Sequence, residues 1–478
     1  MSAFERRSAL RVNNDVQSHT VLTSIGGEEY PFLVKGRTDP ELTGEIVALS
    51  IKENSFPRIR NHNVKMRICF ACFLGLLILP FISCAPGAKT TAPASPRVTT
   101  DEASQGSAGP YWSWKTIRGE VRNKEQIQKV LKDLMEEYGV SGLSLALKQG
   151  EYYLRKQIKT NLLDIGVEDP KTGKSIDAMT VFRADRLGQP VTAYIVLKLA
   201  SDEQFDLDMP LVKYLPKLLS DYPLYQDLKS DPRTKKLTAR LILSHQSGLA
   251  NSRLTRPDRK LVFEASPGNG FRYSEEGYQL LQIVLEEKTG RSLNDLAKTM
   301  AFSPLGMNQS SFIKERRFEG HFATGISGGA DREDSASDLS RPFITTASEY
   351  TKFLWTVRMS GFELSHKEFM SHIIYPSVTV RSSSILEPPN RGSLPALPKG
   401  LAWCLGWGFY EIPRVLLNVC SFMGQRGKGI ECYAMAFESE IPTALTIFVA
   451  GNENQSAMAR ILREILGEIE TPLTWLGF

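Results

Sequence analysis

The chain has 478 residues, 42% of them hydrophobic and 23% charged, which is enough for one large domain or two ordinary ones with a buried core. The net charge of +5 is small for this length. Lys and Arg are scattered rather than clustered, so composition excludes a charge-based case for nucleic acid.

Residues 68–82 read ICFACFLGLLILPFI, an uncharged run preceded by Lys65 and Arg67. As a helix it spans about 22 Å, short of the ~30 Å hydrocarbon core of a bilayer. A signal-peptide apolar region fits better than a membrane anchor. The Ile82-Ser83-Cys84-Ala85 that follows resembles a bacterial lipobox, which implies a lipid on Cys84. Counting from Met66 turns 66–84 into a compact lipoprotein signal, so residues 1–65 are expected to be an upstream reading extension. The alternative is a true N-terminal module, since Arg7-x-x-x-Arg11 and the β-like stretch after it faintly resemble a PilZ domain. Cys69-Phe70-Ala71-Cys72 is formally CxxC but sits inside the apolar run, where it reads as signal sequence.

Residues 85–110 are rich in Pro, Ala, Ser, Thr and Gly and cannot bury a core. A flexible tether is expected over 85–115, with one domain filling 116–478. That domain opens with a helix carrying Ile127, Val130, Leu131, Leu134 and Tyr138 on one face, capped by Asn123 and ended by Gly139. Leu143 to Leu147 reads as a strand covered on both faces, and Gly150 turns the chain into a second strand at 152–156. The middle is mostly helical, with a helix from Tyr278 to Lys288 stopped by Gly290. Strands return at 433–437 and 444–449, and a closing helix runs near 456–466. The pattern predicts an α/β sheet domain plus an all-helical region. Of the six cysteines, Cys404, Cys420 and Cys432 fall in this domain, and spacing leaves their disulfide state open.

Five stretches then resemble the serine β-lactamase-related family (class C β-lactamases, D-alanyl-D-alanine carboxypeptidases and related esterases), over residues 121–467. They are Phe182-Arg183 with Thr192-Ala193, Phe205-Asp206-Leu207-Asp208 leading to Lys213-Tyr214-Leu215-Pro216, and Leu243-Ser244-His245-Gln246-Ser247-Gly248-Leu249. The others are Phe271-Arg272-Tyr273-Ser274 with Gly277-Tyr278, and Pro304-Leu305-Gly306-Met307. The resemblance implies an α/β (α+β) fold of the β-lactamase/transpeptidase type, an antiparallel sheet flanked by helices plus an all-helical region. No cluster of His, Cys and carboxylate has metal-ligand spacing, so no metal and no cofactor are expected; with the lipobox at Cys84, a role at the cell envelope is expected, with the membrane and peptidoglycan or an envelope protein as partners.

The resemblance also implies a serine at the start of a helix with a lysine three residues later, placed on one face so that the amine takes the hydroxyl proton. Those positions hold Arg186 and Gln189. Arg is not a nucleophile and Gln is not a base. The second motif, usually Tyr-x-Asn, reads Tyr273-Ser274-Glu275. The third, usually His or Lys then x-Gly, reads Gln425-Arg426-Gly427. Only Tyr273 keeps its chemistry, which favours a catalytically degenerate protein that binds a ligand or partner; the alternatives are an active serine-type hydrolase of peptidoglycan peptides, β-lactams or esters, and a structural surface lipoprotein. Opposite charges at Arg186 and Glu275 predict an ion pair that fills the former acyl site. The substituted positions are expected to be exposed. His245, Ser247 and Gly248 are expected to be structural. Thr180 and Thr192 have no base three residues on, and Ser311-x-x-Lys314 is a chance match.

Overall fold

The computed structural model describes residues 18–25, 28–35, 113–150, 158–324, 342–360, 364, 377–380, 400–411, 419–425, 429–438, 441–451 and 456–468. The chain divides into two units, Met1–Thr91 and Ala92–Phe478. In the first, β1 (Ser18–Ile25) pairs antiparallel with β2 (Glu28–Lys35). The apolar run 68–82, Cys84, the segment 85–110 and the strand expected at 152–156 lie outside the described residues.

The second unit begins with β3 (Ser113–Lys115), β4 (Val121–Asn123) and α1 (Lys124–Tyr138). The tether drawn to residue 115 is therefore too long. Trp114 is buried, and its indole N–H donates to the Ile465 carbonyl at 2.8 Å, so the chain is already part of the fold there. Asn123 caps α1 by accepting from the Glu125 N–H, and Gly139 ends it in the left-handed region at φ 65°. There follow β5 (Gly142–Gln149), β6 (Lys159–Asp169), β7 (Lys174–Ser175) and β8 (Phe182–Arg183).

A 3₁₀ turn at Asp185–Leu187 feeds α2 (Gly188–Ser201), which is buried on nearly every side, as a helix apolar all round must be. The mostly helical region continues through α3 (Ala239–Leu243), α4 (Glu275–Thr289) and α5 (Leu293–Ala297). α4 starts earlier than the apolar period indicates, because Ser274 caps it by accepting from the Gly277 N–H. The chain then runs through β9 (Ile344–Thr345), α6 (Ala347–Ser360), β10 (Val378–Thr379), β11 (Ala402–Trp403) and β12 (Gly408–Glu411). It ends with β13 (Val419–Gln425), β14 (Ile430–Glu438), β15 (Thr443–Ala450) and α7 (Met458–Leu466).

Nine strands form one antiparallel sheet in the order β10-β11-β12-β13-β14-β15-β5-β6-β7. All eight residues of β15 are buried, so both faces of the sheet centre are covered. α6 packs on β5, β14 and β15, and α1 packs on α7. The architecture is the antiparallel sheet with flanking helices and a helical region expected from sequence. No helix among the described residues is long and apolar enough to cross a membrane.

One close approach fixes α2 against the sheet. A Cβ added to Gly406, in the turn between β11 and β12, would stand 2.2 Å from the Ala193 Cβ, at a φ of 88°. Gly406→Ala is expected to cost about 1–3 kcal/mol through overpacking and left-handed strain. Adding Ala193→Gly should recover the packing part of that loss. Urea melts of the two single variants and the double variant check this.

Candidate functional site

The 3₁₀ turn that carries Arg186 is held on several sides. Arg183 Nε reaches both carboxylate oxygens of Asp185 at 3.0 and 2.9 Å. The Ala184 N–H donates to Phe343 O at 2.7 Å, and the Tyr350 hydroxyl donates to Leu187 O at 2.9 Å. Phe182 stacks on Phe448 of β15 with centroids 4.5 Å apart. Gln189 then falls in the first turn of α2, three residues beyond Arg186 and on the same side.

Tyr273 and Glu275 flank the Ser274 cap of α4. The Ser274 hydroxyl donates to Ala250 O at 2.9 Å, and the Glu275 N–H donates to Asn251 O at 3.1 Å. These bonds fix the direction in which α4 starts and hence where both side chains project. Gln425 closes the group from the last residue of β13.

The four elements bring the substituted positions onto one another. Arg186 Nε donates to Glu275 Oε1 at 3.0 Å, so the ion pair expected from sequence is made. The guanidinium carbon lies 5.5 Å from the centroid of the Tyr273 ring. The Arg186 backbone N–H donates to Gln425 Oε1 at 3.0 Å. Gln189 Nε2 donates to the Tyr273 hydroxyl at 2.7 Å. Gly427 lies outside the described residues.

The expectation that these positions are exposed is wrong. Gln189 is 7% exposed, and the Arg186 and Glu275 side chains are 13% and 30% exposed. The reason is length. Arg and Gln are long enough to fold into the space and bond each other's neighbours, where a short hydroxyl would leave it open.

His245 sits at the end of α3 with a φ of 52°, which favours glycine. Its ring is buried among Tyr273, Trp403, Tyr278 and Phe271, at centroid distances of 4.2, 5.0, 5.2 and 5.7 Å. Nδ1 accepts the Ser274 N–H at 3.2 Å, and the carbonyl accepts from Arg272 N–H at 2.6 Å. Burial, and then the Arg186 charge, pull the imidazole down from 6.5 to about 3. It is neutral near pH 7 and ties the Tyr273 segment to the α3 turn. The Ser247 hydroxyl accepts from the Leu249 N–H at 3.2 Å, and Gly248, at φ 73°, has Ala265 O where a Cβ would stand.

A histidine that stays neutral when folded and charges when unfolded makes the unfolded state bind more protons. Stability is therefore expected to fall as pH drops from about 6.5 toward 3, by up to ~1.4 kcal/mol per pH unit from this group. His245→Asn keeps an acceptor for Ser274 and tolerates positive φ. Denaturant melts between pH 7 and 4.5 should show a shallower slope in the variant (about 1 kcal/mol per unit less).

The alternative hydroxyls are committed elsewhere. Ser311 Oγ donates to Asn294 Oδ1 at 3.0 Å, while the Lys314 ammonium lies over the Phe322 ring, 5.8 Å from its centroid. Thr180 Oγ1 donates to Glu168 at 3.1 Å, and Thr192 Oγ1 to Gly188 O at 3.0 Å. No group of three or more His, Cys, Asp and Glu residues is placed to hold a metal among the described residues.

Sequence reading missed three contributors. Asp185 orders the turn, and its signal was the Arg183-x-Asp185 spacing. Tyr350 clamps Leu187 from a helix more than 160 residues away, a contact no local pattern announces. Cys432 sits opposite Gln425 in the sheet register, and burial and then the Asp185 charge push its thiol up. Cys404 and Cys432 are both buried free thiols.

The sequence pattern of the Beta-lactamase family matches residues 127–458. Protein flp of Staphylococcus aureus (strain N315) is 21% identical over 301 residues, 60% of this chain and 56% of that one. Esterase EstB of Burkholderia gladioli is 24% identical over 206 residues, 38% of this chain and 49% of that one. The chain thus spans about half the length of these curated relatives. The solved β-lactamase/D-alanine carboxypeptidase from Pseudomonas syringae superposes with a TM-score of 0.55 at 14% identity, covering 73% of this chain and 99% of that one, a likeness of fold. With a family pattern spanning most of the folded unit, and with a sheet and helices of the β-lactamase/transpeptidase type, the chain belongs to the serine β-lactamase-related family.

Proposed function

We propose that this domain is a catalytically degenerate family member that acts by binding a ligand or partner without forming an acyl-enzyme. The observation that carries this reading is the filled site. Arg186 stands where the resemblance puts the nucleophile, with its guanidinium on Glu275 and its backbone N–H on Gln425. An attacking serine needs a hydroxyl, a base and a donor for the developing oxyanion. Here the hydroxyl is missing, the base position holds a neutral amide, and the donor at the helix entrance is already bonded.

In the same reading, residues 66–84 are a lipoprotein signal, a lipid on Cys84 holds the domain at a bacterial membrane in the periplasm or at the cell surface, and 85–112 is the tether. Peptidoglycan or an envelope protein is the partner class. The names of relatives such as esterase EstB keep one competing reading in view, an active hydrolase of peptidoglycan peptides, β-lactams or esters. A structural surface lipoprotein with an idle site is the third.

The test is intact mass of the full chain after incubation with a penicillin and, separately, with a fluorophosphonate. No mass gain is expected under conditions that acylate an active relative. A stoichiometric adduct would overturn the reading, and the labelled residue would be the nucleophile. Mass spectrometry of the mature N-terminus in the producing cell tests the anchor, where an intact Met1 would sink it.

A further inference from the structure

The sheet leaves β6 half paired. β6 runs from Lys159 to Asp169 and pairs with β5 over Lys159–Gly166. On its other side β7 meets only Val167 and Asp169, and the Ile176 N–H takes the Gly166 carbonyl at 3.0 Å. Among the described residues no strand pairs with the outer edge of Lys159–Ile165.

The direction of the backbone groups along this edge is fixed. The Gly150 N–H donates to Pro442 O, so the even-numbered residues of β5 bond toward β15 and its odd-numbered residues toward β6. Odd residues of β6 answer them, since Leu147 stands opposite Asn161 and Leu145 opposite Leu163. Thr160, Leu162 and Asp164 therefore turn N–H and C=O outward, the direction in which the Gly166 carbonyl already bonds.

The side chains do not guard the edge. Natural edges are blunted by proline, inward charge or bulges. Lys159–Ile165 has no proline, and its charges, Lys159 and Asp164, lie toward its ends. At its midpoint Leu162 is 36% exposed, and Ile158, just before the strand, is 41% exposed.

We propose that this edge pairs with the same edge of a second copy of the chain, antiparallel about a two-fold axis through Leu162, to give a dimer with one continuous sheet. This goes beyond the reading of the site and holds whether or not the site is catalytic. A two-fold axis normal to the sheet keeps each side chain on its own face, so even residues meet even and odd meet odd. Centring on Leu162 uses the whole open stretch. It sets Leu162 against the second copy's Leu162, and Thr160 against the second copy's Asp164, twice by symmetry. Leu162 is then covered, and the Thr160 hydroxyl donates to the Asp164 carboxylate, which takes Ser144 Oγ through Oδ1 at 2.7 Å. Each outward N–H and C=O meets its counterpart. Centring on Asn161 would set Ile158 against Asp164, and centring on Leu163 would set Leu162 against Asp164, so neither slipped register matches in chemistry.

Sedimentation equilibrium of the full chain from about 1 to 100 μM, the range for a small interface, is expected to show monomer passing to dimer. Leu162→Lys sets like charges on the axis, and Thr160→Asp sets a carboxylate against Asp164 twice. Each is expected to weaken the dimer about tenfold. Thr160→Lys gains opposite-charge pairs with Asp164 and is expected to tighten it several-fold. Both positions are exposed, so the fold is expected to survive all three changes. A chain that stays monomeric across that range would overturn the proposal. So would self-association that Leu162→Lys leaves unchanged, which would place the contact on another surface. Equal effects of Thr160→Asp and Thr160→Lys would also overturn it, by ruling out the Thr160–Asp164 register.

Discussion

Arg186→Ser, Gln189→Lys and Glu275→Asn introduced together are expected to give a chain that penicillin acylates. The side-chain positions needed for this are in place, and the Gln425 amide that caps the residue-186 N–H would have to give way to the acyl oxygen. Positions 186 and 189 lie on one side of the helix entrance, and the end of the residue-189 side chain is 2.7 Å from the Tyr273 hydroxyl. A lysine there would sit between the phenol and the new hydroxyl, within reach of its proton. Removing Glu275's charge matters because a carboxylate beside the new amine would hold it protonated and unable to act as a base. Arg186→Ser alone should label ~10²–10⁴-fold more slowly than the triple variant, the usual contribution of a positioned general base. Intact-mass time courses of the single and triple variants check this. Equal labelling rates would mean that position 189 is not the base position and that the motif alignment behind this reading is wrong.

Replacing Glu276 by Ala is expected to destabilise the fold by about 3–5 kcal/mol, the cost of stranding a buried charge. Its side chain is 1% exposed and receives Arg253 through the backbone N–H at 2.8 Å, Nε at 2.9 Å and Nη2 at 2.7 Å. Arg253, itself 10% exposed, would be left buried without its counter-ion. Glu275→Ala, one residue earlier, should cost only about 1–2 kcal/mol, because that pair is partly solvated. Denaturant melts of the two variants measure the difference. Equal losses would show that the Arg186–Glu275 pair is as strongly coupled to the fold as its buried neighbour. The adjacent glutamates divide two jobs: Glu276 anchors the start of α4 to the 253 segment, and Glu275 fills the site.

The strand and helix pattern was legible wherever local chemistry decides it. Asn123 and Gly139 bracket α1, Gly290 ends α4, and the alternation from Leu143 to Leu147 marks a strand covered on both sides. Boundaries moved where a cap or a distant contact intervened. Ser274 pulled the start of α4 back to Glu275, and Trp114 drew the chain into the fold before the end of the expected tether.

At the site, the sequence by itself determined which residue types stand at 186, 189, 273, 275 and 425, and hence that a serine–lysine pair is absent. It also supplied the opposite charges of Arg186 and Glu275. Beyond that ion pair, only the tertiary structure decided what those residues do with one another. Gln425 capping the Arg186 N–H joins positions 239 residues apart, and Gln189 meeting Tyr273 joins positions 84 apart. Caps and strand alternation are read from neighbours in the chain, within one turn or one pleat. Burial and hydrogen-bond partners depend on which elements the sheet and α2 bring together, and that is set by packing the whole core at once. Nothing local in the chain therefore shows that Gln189 turns inward onto Tyr273, where its Oε1 is a buried acceptor.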